Sequence, residues 1–366
     1  MSKRVAMLRS KSVGGVEPRL DKEARALAEG GYDVHAILWD RDLAFPEEEP
    51  QDGYQVRRVR LKARYNHPSL AWKLPRWWSR AYGLLRRMRP DIVHAADYDS
   101  VPPALRARRA WGAKVVFDIW DFYADMMTAR VPGFVRAALA RREARAIRDA
   151  DLVILPDMVG RQRMTVEPRR LIEIRNVPET RTIVPERFNR FTVFYAGNIS
   201  RDRGLLDILR ACEDTGATFL VAGQGPDEPE LLPAIESSPS GMFLGYLSQE
   251  KVLSHTAGAD VIPLLYDPSV PINRIASPNK LYEAMMMGKP VIVSEGTAMA
   301  DLVQSAEIGI VVPYGDHRAL RNALERLMLS PGLMEEMGHR AQALFESRYR
   351  WDIMQRRLLD AYEELS

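Results

Sequence analysis

Short apolar runs alternate along the chain with stretches in which apolar residues recur every three or four positions, the period of a helix with one buried face. In the first half the runs "RVAML", "DVHAILW", "YQVRRVRL", "DIVHAA", "KVVFDIW", "DLVILP" and "LIEIRN" predict strands. Between them "EPRLDKEARALAEGG", "PRWWSRAYGLLRRMR", "SVPPALRARRAWG" and "FVRAALARREARAIRDA" predict helices. The pattern restarts at "FTVFYAG" and continues through "GLLDILRACEDTG", "TFLVAG", "DEPELLPAIESS", "GMFLGY", "SQEKVLSHTAG", "DVIPLL", "NKLYEAMMMG", "PVIVSE", "MADLVQSAE", "GIVVP" and "HRALRNALERLMLSP". Strands that alternate with helices form parallel sheets covered on both faces. The expectation is an α/β protein of two doubly wound, Rossmann-like domains facing a central cleft, with ligands at the carboxyl edges of the sheets. The polar, proline-bearing segment 176–190 reads as the linker between them.

A chain of 366 residues has room for two domains. Its 46% hydrophobic and 28% charged content is that of a globular protein. No apolar run reaches the ~18 residues that span a bilayer, and the start "MSKRVAMLRSKSVGG" is too short in apolar residues for a secretory leader. Cys212 is the one cysteine, which excludes an intrachain disulfide framework and any multi-cysteine metal site. A cytoplasmic protein is expected. Residues 1–175 hold 34 Lys and Arg against 23 Asp and Glu, whereas 176–366 hold 18 against 26. The two halves therefore face different partners. From Gly53 to Pro90 there is no acid at all, against eleven cations.

Candidate chemistry gathers where strands meet helices. Gly14 and Gly15 follow the first strand, where backbone N–H groups can approach an anion at a helix start. Gly197 and Asn198 end the strand that opens the second half, and Arg201 and Arg203 precede the next helix. Cations there oppose the helix dipole, which makes sense if a diphosphate lies between. Gly223 and Gly225 form a Gly-x-Gly turn at the same edge. In "SPNKLYEAMMMGKPVIVSEG", Ser277 is expected to cap a helix with Pro278 at its first position, placing Lys280 and Glu283 on one face. An ammonium at a helix start binds phosphate, and a carboxylate one turn on accepts ribose hydroxyls. His94, Asp97, Asp118 and Asp121 lie at strand ends of the first half and are the candidate acceptor residues. No metal is expected in the site, although Asp97 and Asp99 form a D-x-D. No Ser-His-Asp, Cys-His or Walker arrangement is visible.

In this order, "FYAGNISRDRGLLDIL", "LVAGQGP", "FLGYLSQEKV", "GADVIPLL", "SPNKLYEAMMMGKPVI" and "GIVVPYGD" resemble the nucleotide-sugar half of a family 4, group 1 glycosyltransferase with the GT-B fold. "VEPRLDKEARALAEGGYDVHAILWDRD" and "RPDIVHAADYDSVPPALRA" resemble its first half, and "RYRWDIMQRRLLDAYEEL" its last helix, which crosses back to the first domain. The resemblance implies an acceptor domain at 1–175 plus about 346–366 and a nucleotide-sugar domain at 176–345. It implies retaining transfer of a sugar from a nucleoside-diphosphate sugar to an acceptor hydroxyl of a lipid-linked or polysaccharide glycan, with no cofactor. Arg203 and Lys280 would contact the diphosphate and Glu283 the ribose. Leu244, Gly245, Tyr246 and Leu247 would present backbone to the base, with Gly14 and Gly15 under the phosphate or sugar. Gly197, Asn198, Gly223, Gly225, Ser277 and Asn279 complete the donor set. Catalysis would rest on Lys280, Arg203, Glu283 and Gly15. The chain departs from the family pattern at Ile275, where a glutamate is usual, at Gly197-Asn198, usually Gly-Arg, and at Trp120, where a histidine is common.

The acid-free stretch holds the helix "LAWKLPRWWSRAYGLLRRMR", with Trp77, Ala81, Leu84, Leu85 and Met88 on one face and arginines beside it. This is a core helix with solvated arginines or an interfacial segment, 57–89, that meets an anionic membrane surface. A nucleotide-sugar epimerase and a basic nucleic-acid-binding protein are the rival classes. No nucleic-acid motif supports the latter.

Overall fold

The computed structural model describes residues 2–10, 15–64, 67, 69–125 and 131–365. Its contacts divide the chain into two units, Met1–Arg175 with Met354–Ser366, and Asn176–Ile353. The return to the first unit thus falls at Met354 rather than near 346.

The first unit is one sheet of eight strands: β1 (Arg4–Arg9), β2 (Asp33–Asp40), β3 (Glu48–Gln51), β4 (Tyr54–Arg60), β5 (Ile92–Ala96), β6 (Lys114–Asp118), β7 (Leu152–Leu155) and β8 (Leu171–Glu173). Their order is β3-β4-β2-β1-β5-β6-β7-β8, parallel except for β3, which pairs antiparallel with β4. Strand β3 lies outside the expected elements. Its sequence "EEPQ" lacks apolar alternation, but the Asp52-Gly53 turn, with Gly53 at φ +81°, returns the chain into β4. The central strands are buried, β5 throughout and β1 after Arg4, as a sheet covered on both faces requires.

Helices α1 (Pro18–Glu29), α2 (Leu70–Met88), α3 (Val101–Trp111) and α4 (Gly133–Asp149) connect these strands. In α2, Trp77, Ala81 and Leu85 are fully buried, and Trp77 stacks on Trp39 with ring centroids 5.7 Å apart. The Trp78 indole donates to the Asp99 carbonyl at 2.7 Å. Both tryptophans are held in the fold, and Trp72, 77% exposed, is the one on this helix that faces solvent.

The second unit has β9 (Thr192–Asn198), β10 (Thr218–Gln224), β11 (Gly241–Phe243), β12 (Ile262–Leu264), β13 (Val291–Ser294) and β14 (Gly309–Val312). They form the parallel triplets β11-β10-β9 and β12-β13-β14, joined by a parallel bridge between Val193 and Val261. The covering helices are α5 (Leu205–Thr215), α6 (Glu228–Ser237), α7 (Gln249–Gly258), α8 (Pro271–Arg274), α9 (Asn279–Met286), α10 (Ala298–Ala306), α11 (His317–Leu329) and α12 (Pro331–Leu344). Tyr195, Phe219, Ile235 and Leu327 lie in its fully buried core.

Helix α13 (Trp351–Leu365) carries the chain back into the first unit. There Tyr362 meets Tyr32 edge to face at 5.7 Å, and Gln355 donates to Glu29 at 2.7 Å. Gly30, the C-cap of α1, packs against α13, where a Cβ would lie 2.4 Å from Leu359 Cδ2.

Candidate functional site

The carboxyl edge of the β9–β11 sheet is surfaced by glycine. Gly197 and Gly223 are register partners, and the Gly223 N–H donates to the Gly245 carbonyl at 2.9 Å. A Cβ on Gly223 would lie 1.9 Å from the Gly197 carbonyl oxygen, and one on Gly225 would lie 2.1 Å from that of Ile199. The Gly-x-Gly turn is therefore required by backbone packing between β10 and the end of β9. The result is a bare ledge of main chain. Gly245 faces open space, Tyr246 beside it is 77% exposed, and Leu247 is half-buried. Asn198 is exposed, and its carbonyl accepts from the buried Tyr195 hydroxyl at 2.7 Å.

Lys280 reaches this ledge from the first turn of α9. Its Nζ stands 5.3 Å from the Tyr195 ring centroid, and a Cβ on Gly197 would be 2.4 Å from it. The ammonium donates to no protein acceptor among the described residues. Burial works to lower its pKa, but Tyr266, Tyr195 and Glu283 outweigh that and hold it above the ordinary lysine value. The site thus keeps a half-buried cation charged without satisfying its donors.

Arg203 ends the short turn Arg201–Arg203. Its guanidinium lies over the Tyr266 ring, 3.9 Å from the centroid, and Nη1 donates to Asp202 Oδ2 at 2.6 Å and Asn273 Oδ1 at 2.9 Å. Nε and Nη2 have no acceptor among the described residues. Arg201, by contrast, is 67% exposed and paired with Glu230. Tyr195, Tyr266 and Asn273 position the two cations and were not among the sequence candidates. Nothing in their spacing marks them, since Asn273 meets Arg203 across 70 residues.

Glu283 is 7% exposed, one turn into α9 beyond Lys280. The helix begins at Asn279, with Pro278 as its extended cap. Ser277 is not the cap. Its hydroxyl is bonded to the Tyr282 hydroxyl at 2.7 Å, a partner one turn on that only the folded helix supplies.

The candidates of the first unit sit differently. Gly14 lies outside the described residues. Gly15 has φ +116° and open space where a Cβ would be. His94 and Asp118 are fully buried, so neither side chain is presented to an acceptor. His94 Nδ1 meets the Tyr362 hydroxyl at 2.7 Å, and Arg19 donates to Asp118 Oδ1 at 2.7 Å and pairs with Glu23 at 3.1 Å. Burial and the charge of Asp118 push the Glu23 carboxyl up to about 7. Burial acts on Asp118 too, but Arg19 and His94 hold it well below the usual carboxylate range. Glu23, His94 and Asp118 bring their ligand atoms within 4.8 Å of one another, a metal-sized grouping. Arg19 already stands between the two carboxylates and supplies the countercharge, so the donor set does not fit a metal. Asp97, 1% exposed, pairs with Arg9 and accepts from the backbone N–H of Trp120 and Asp121, at 3.2 and 3.4 Å. Asp121 itself is half-buried. Trp120 lies between the arginines, 3.7 Å from Arg9 and 5.6 Å from Arg19.

Residues 14–177 match the glycosyl transferase 4-like domain, and residues 190–330 match the glycosyl transferases group 1 domain. The chain is 23% identical to a glycogen synthase of Mycobacterium tuberculosis over 93% of its own length and 88% of the relative's. It is 31% identical to the D-rhamnosyltransferase WbpZ of Pseudomonas aeruginosa over 44% of its length and 42% of the relative's. Among solved structures, the sucrose-phosphate synthase of Thermosynechococcus elongatus superposes with a TM-score of 0.84 at 17% identity, covering 99% of both chains. Anabaena HepE in complex with UDP and glucose gives 0.76 at 14% identity, covering 99% of this chain and all of that one. A 4-like domain followed by a group 1 domain, on the GT-B fold those structures share, spans most of the sequence, and the chain belongs to the family 4, group 1 glycosyltransferases.

Proposed function

We propose that the protein moves a sugar, with retention of anomeric configuration, from a nucleoside-diphosphate sugar to an acceptor hydroxyl of a lipid-linked or polysaccharide glycan in cell-envelope or glycoconjugate synthesis. The observation that carries the donor reading is the Lys280 ammonium, charged, half-buried, and without a protein acceptor among the described residues. A diphosphate on the glycine ledge would satisfy it, with the Nε and Nη2 of Arg203, which meet no acceptor among the described residues, as a second clamp. Glu283, one turn along the same helix, suits the two ribose hydroxyls. HepE, which holds UDP and glucose, supports this ligand class.

In the transfer the bond from the anomeric carbon to the diphosphate breaks as the acceptor oxygen bonds to the same face. The acceptor proton passes to the departing diphosphate oxygen. Lys280 and Arg203 stabilise the negative charge that develops there. Neither cofactor nor metal enters the scheme. Product labelling tests it. A calorimetric screen of nucleotide sugars identifies the donor, and a labelled sugar must then appear on an acceptor as the same anomer. Free altered sugar without acceptor labelling would make the protein an epimerase instead.

For a lipid-linked acceptor we place the enzyme on the inner, anionic face of a membrane, from the cytoplasm. No helix among the described residues is long and apolar enough to cross one. Within 57–89 the contact would rest on exposed Trp72 with Arg76, since Trp77 and Trp78 belong to the fold. Helix α4 adds Phe134, 75% exposed, and Arg136, Arg141 and Arg142. Binding to phosphatidylglycerol vesicles should fall steeply with salt and drop in Trp72→Ala/Phe134→Ala. Indifference to such vesicles at low salt would assign the acceptor to soluble glycans.

A further inference from the structure

Five of the eleven cations in the acid-free stretch converge on one groove of the first unit, about 440 Å³ in volume, between β4 and α2. The strand contributes Arg57, Arg58 and Arg60, and the helix contributes Arg80 and Arg87. Positions 80, 84 and 87 recur at helical spacing, so they share the face turned to the strand. Gly83, with nothing within 4 Å of where its Cβ would be, leaves that wall open.

The arginines differ in what occupies them. Arg58 is 3% exposed and committed to the fold, donating to the Pro46 carbonyl at 3.1 Å and to Glu49 at 2.5 Å. Arg57 meets Glu48 at 3.5 Å in a half-exposed pair of the kind that holds little energy. Arg60 and Arg80 donate to neutral carbonyls, those of Leu43 and Arg60, each at 2.9 Å, and Arg60 stands 3.7 Å from Asp40. The exposed Arg87 guanidinium bonds to none of the described residues. Glu47 and Glu48 are the two acids that line the groove, which leaves it net positive. A flat bilayer cannot enter a groove, whereas a phosphate can, and the guanidinium fork matches its oxygens two at a time.

We propose that this groove binds a diphosphate or similar phosphate-bearing ligand, at a site separate from Lys280 and Arg203. The phosphates could belong to a lipid headgroup or to a soluble phosphorylated sugar. The proposal does not depend on the donor reading, because its residues lie in the other unit.

Calorimetry with inorganic pyrophosphate tests it in a Lys280→Ala background, which weakens the donor-side clamp. Arg80→Ala and Arg87→Ala should each weaken pyrophosphate on the order of 10-fold. Arg86→Ala removes the same charge from the next residue, which does not line the groove, and should change affinity less than about twofold. Arg86 and Arg87 are both exposed, so their loss leaves the fold intact. Equal weakening by Arg86→Ala and Arg87→Ala would reduce the effect to net charge and overturn the proposal, as would no weakening by Arg87→Ala. A parallel arm, in the Trp72→Ala/Phe134→Ala background that removes the proposed membrane contact, compares phosphatidylcholine vesicles with and without phosphatidic acid. If Arg87→Ala also loses the phosphatidic acid vesicles, the groove takes a lipid phosphate. If it keeps them while losing pyrophosphate, the groove takes a soluble one.

Discussion

Replacing Gly197 by alanine acts on the donor site through Lys280. The new Cβ would stand 2.4 Å from Nζ and 2.8 Å from Cε. Non-bonded carbon contacts settle near ~3.5 Å, so the ammonium must retreat by roughly 1 Å. The obstructing atoms are the flexible end of a lysine, so the head group gives way, and the φ of +157° at Gly197 adds a backbone strain that alanine carries in any background. A shift of that size breaks a charge-assisted hydrogen bond to a diphosphate, which costs ~1.5–3 kcal/mol, or on the order of 10- to 100-fold in Kd. Calorimetry with the preferred nucleoside diphosphate should show this loss in Gly197→Ala, and a loss at least as large in Lys280→Ala. The decisive variant carries both changes. With the lysine head gone the clash is gone, so the double variant should bind no more weakly than Lys280→Ala alone. Additive losses would refute the reasoning and mean that Gly197 serves through its φ of +157° or by letting the ligand approach its backbone, not through Lys280.

Glu283→Gln should weaken a ribonucleoside diphosphate by about 10-fold while leaving its 2′,3′-dideoxy counterpart unchanged, and equal weakening of both would assign Glu283 to local structure. Gly223→Ala should lower the melting temperature sharply, because the Cβ would meet the Gly197 carbonyl at 1.9 Å and backbone cannot yield cheaply. Gly245→Ala, in open space at φ +70°, should cost only the ~1 kcal/mol of a left-handed residue. Glu143, 4% exposed, has its carboxyl pushed up to about 7 by burial, against hydrogen bonds from the Tyr123 and Ala124 N–H groups. A carboxyl raised above its unfolded value of ~4.3 favours the native state at low pH and loses that contribution as pH rises through 7. Urea unfolding of Glu143→Gln should therefore show a gain over wild type at pH 8, up to ~3 kcal/mol, that disappears near pH 4. A difference independent of pH would mean that the carboxyl titrates normally in the fold.

The alternation of apolar runs and helical periods was enough to place two parallel α/β units and to put Lys280 and Glu283 on one face of one helix. Both follow from local spacing, which the chain carries wherever it goes. Strand β3 has no apolar signature because an edge strand with one neighbour needs no apolar face, and only its Asp52-Gly53 turn marks it in the sequence. In helix α12 Gly338 weakens the helical signal of the sequence. That glycine is there for the tertiary structure, since a Cβ on it would lie 2.2 Å from the Gly288 carbonyl. Whether a polar residue serves the site or the fold was decided by partners far along the chain. His94 is taken up by Tyr362, 268 residues away, and Asp118 by Arg19, 99 residues away. In the same way 57–89 reads as an evenly basic segment until β4 and α2 pack together. That packing commits Arg58 to the fold and turns Arg57, Arg60, Arg80 and Arg87 into the walls of one groove. A buried charge must find its counterion wherever the fold brings one, and sequence distance carries no record of where that is.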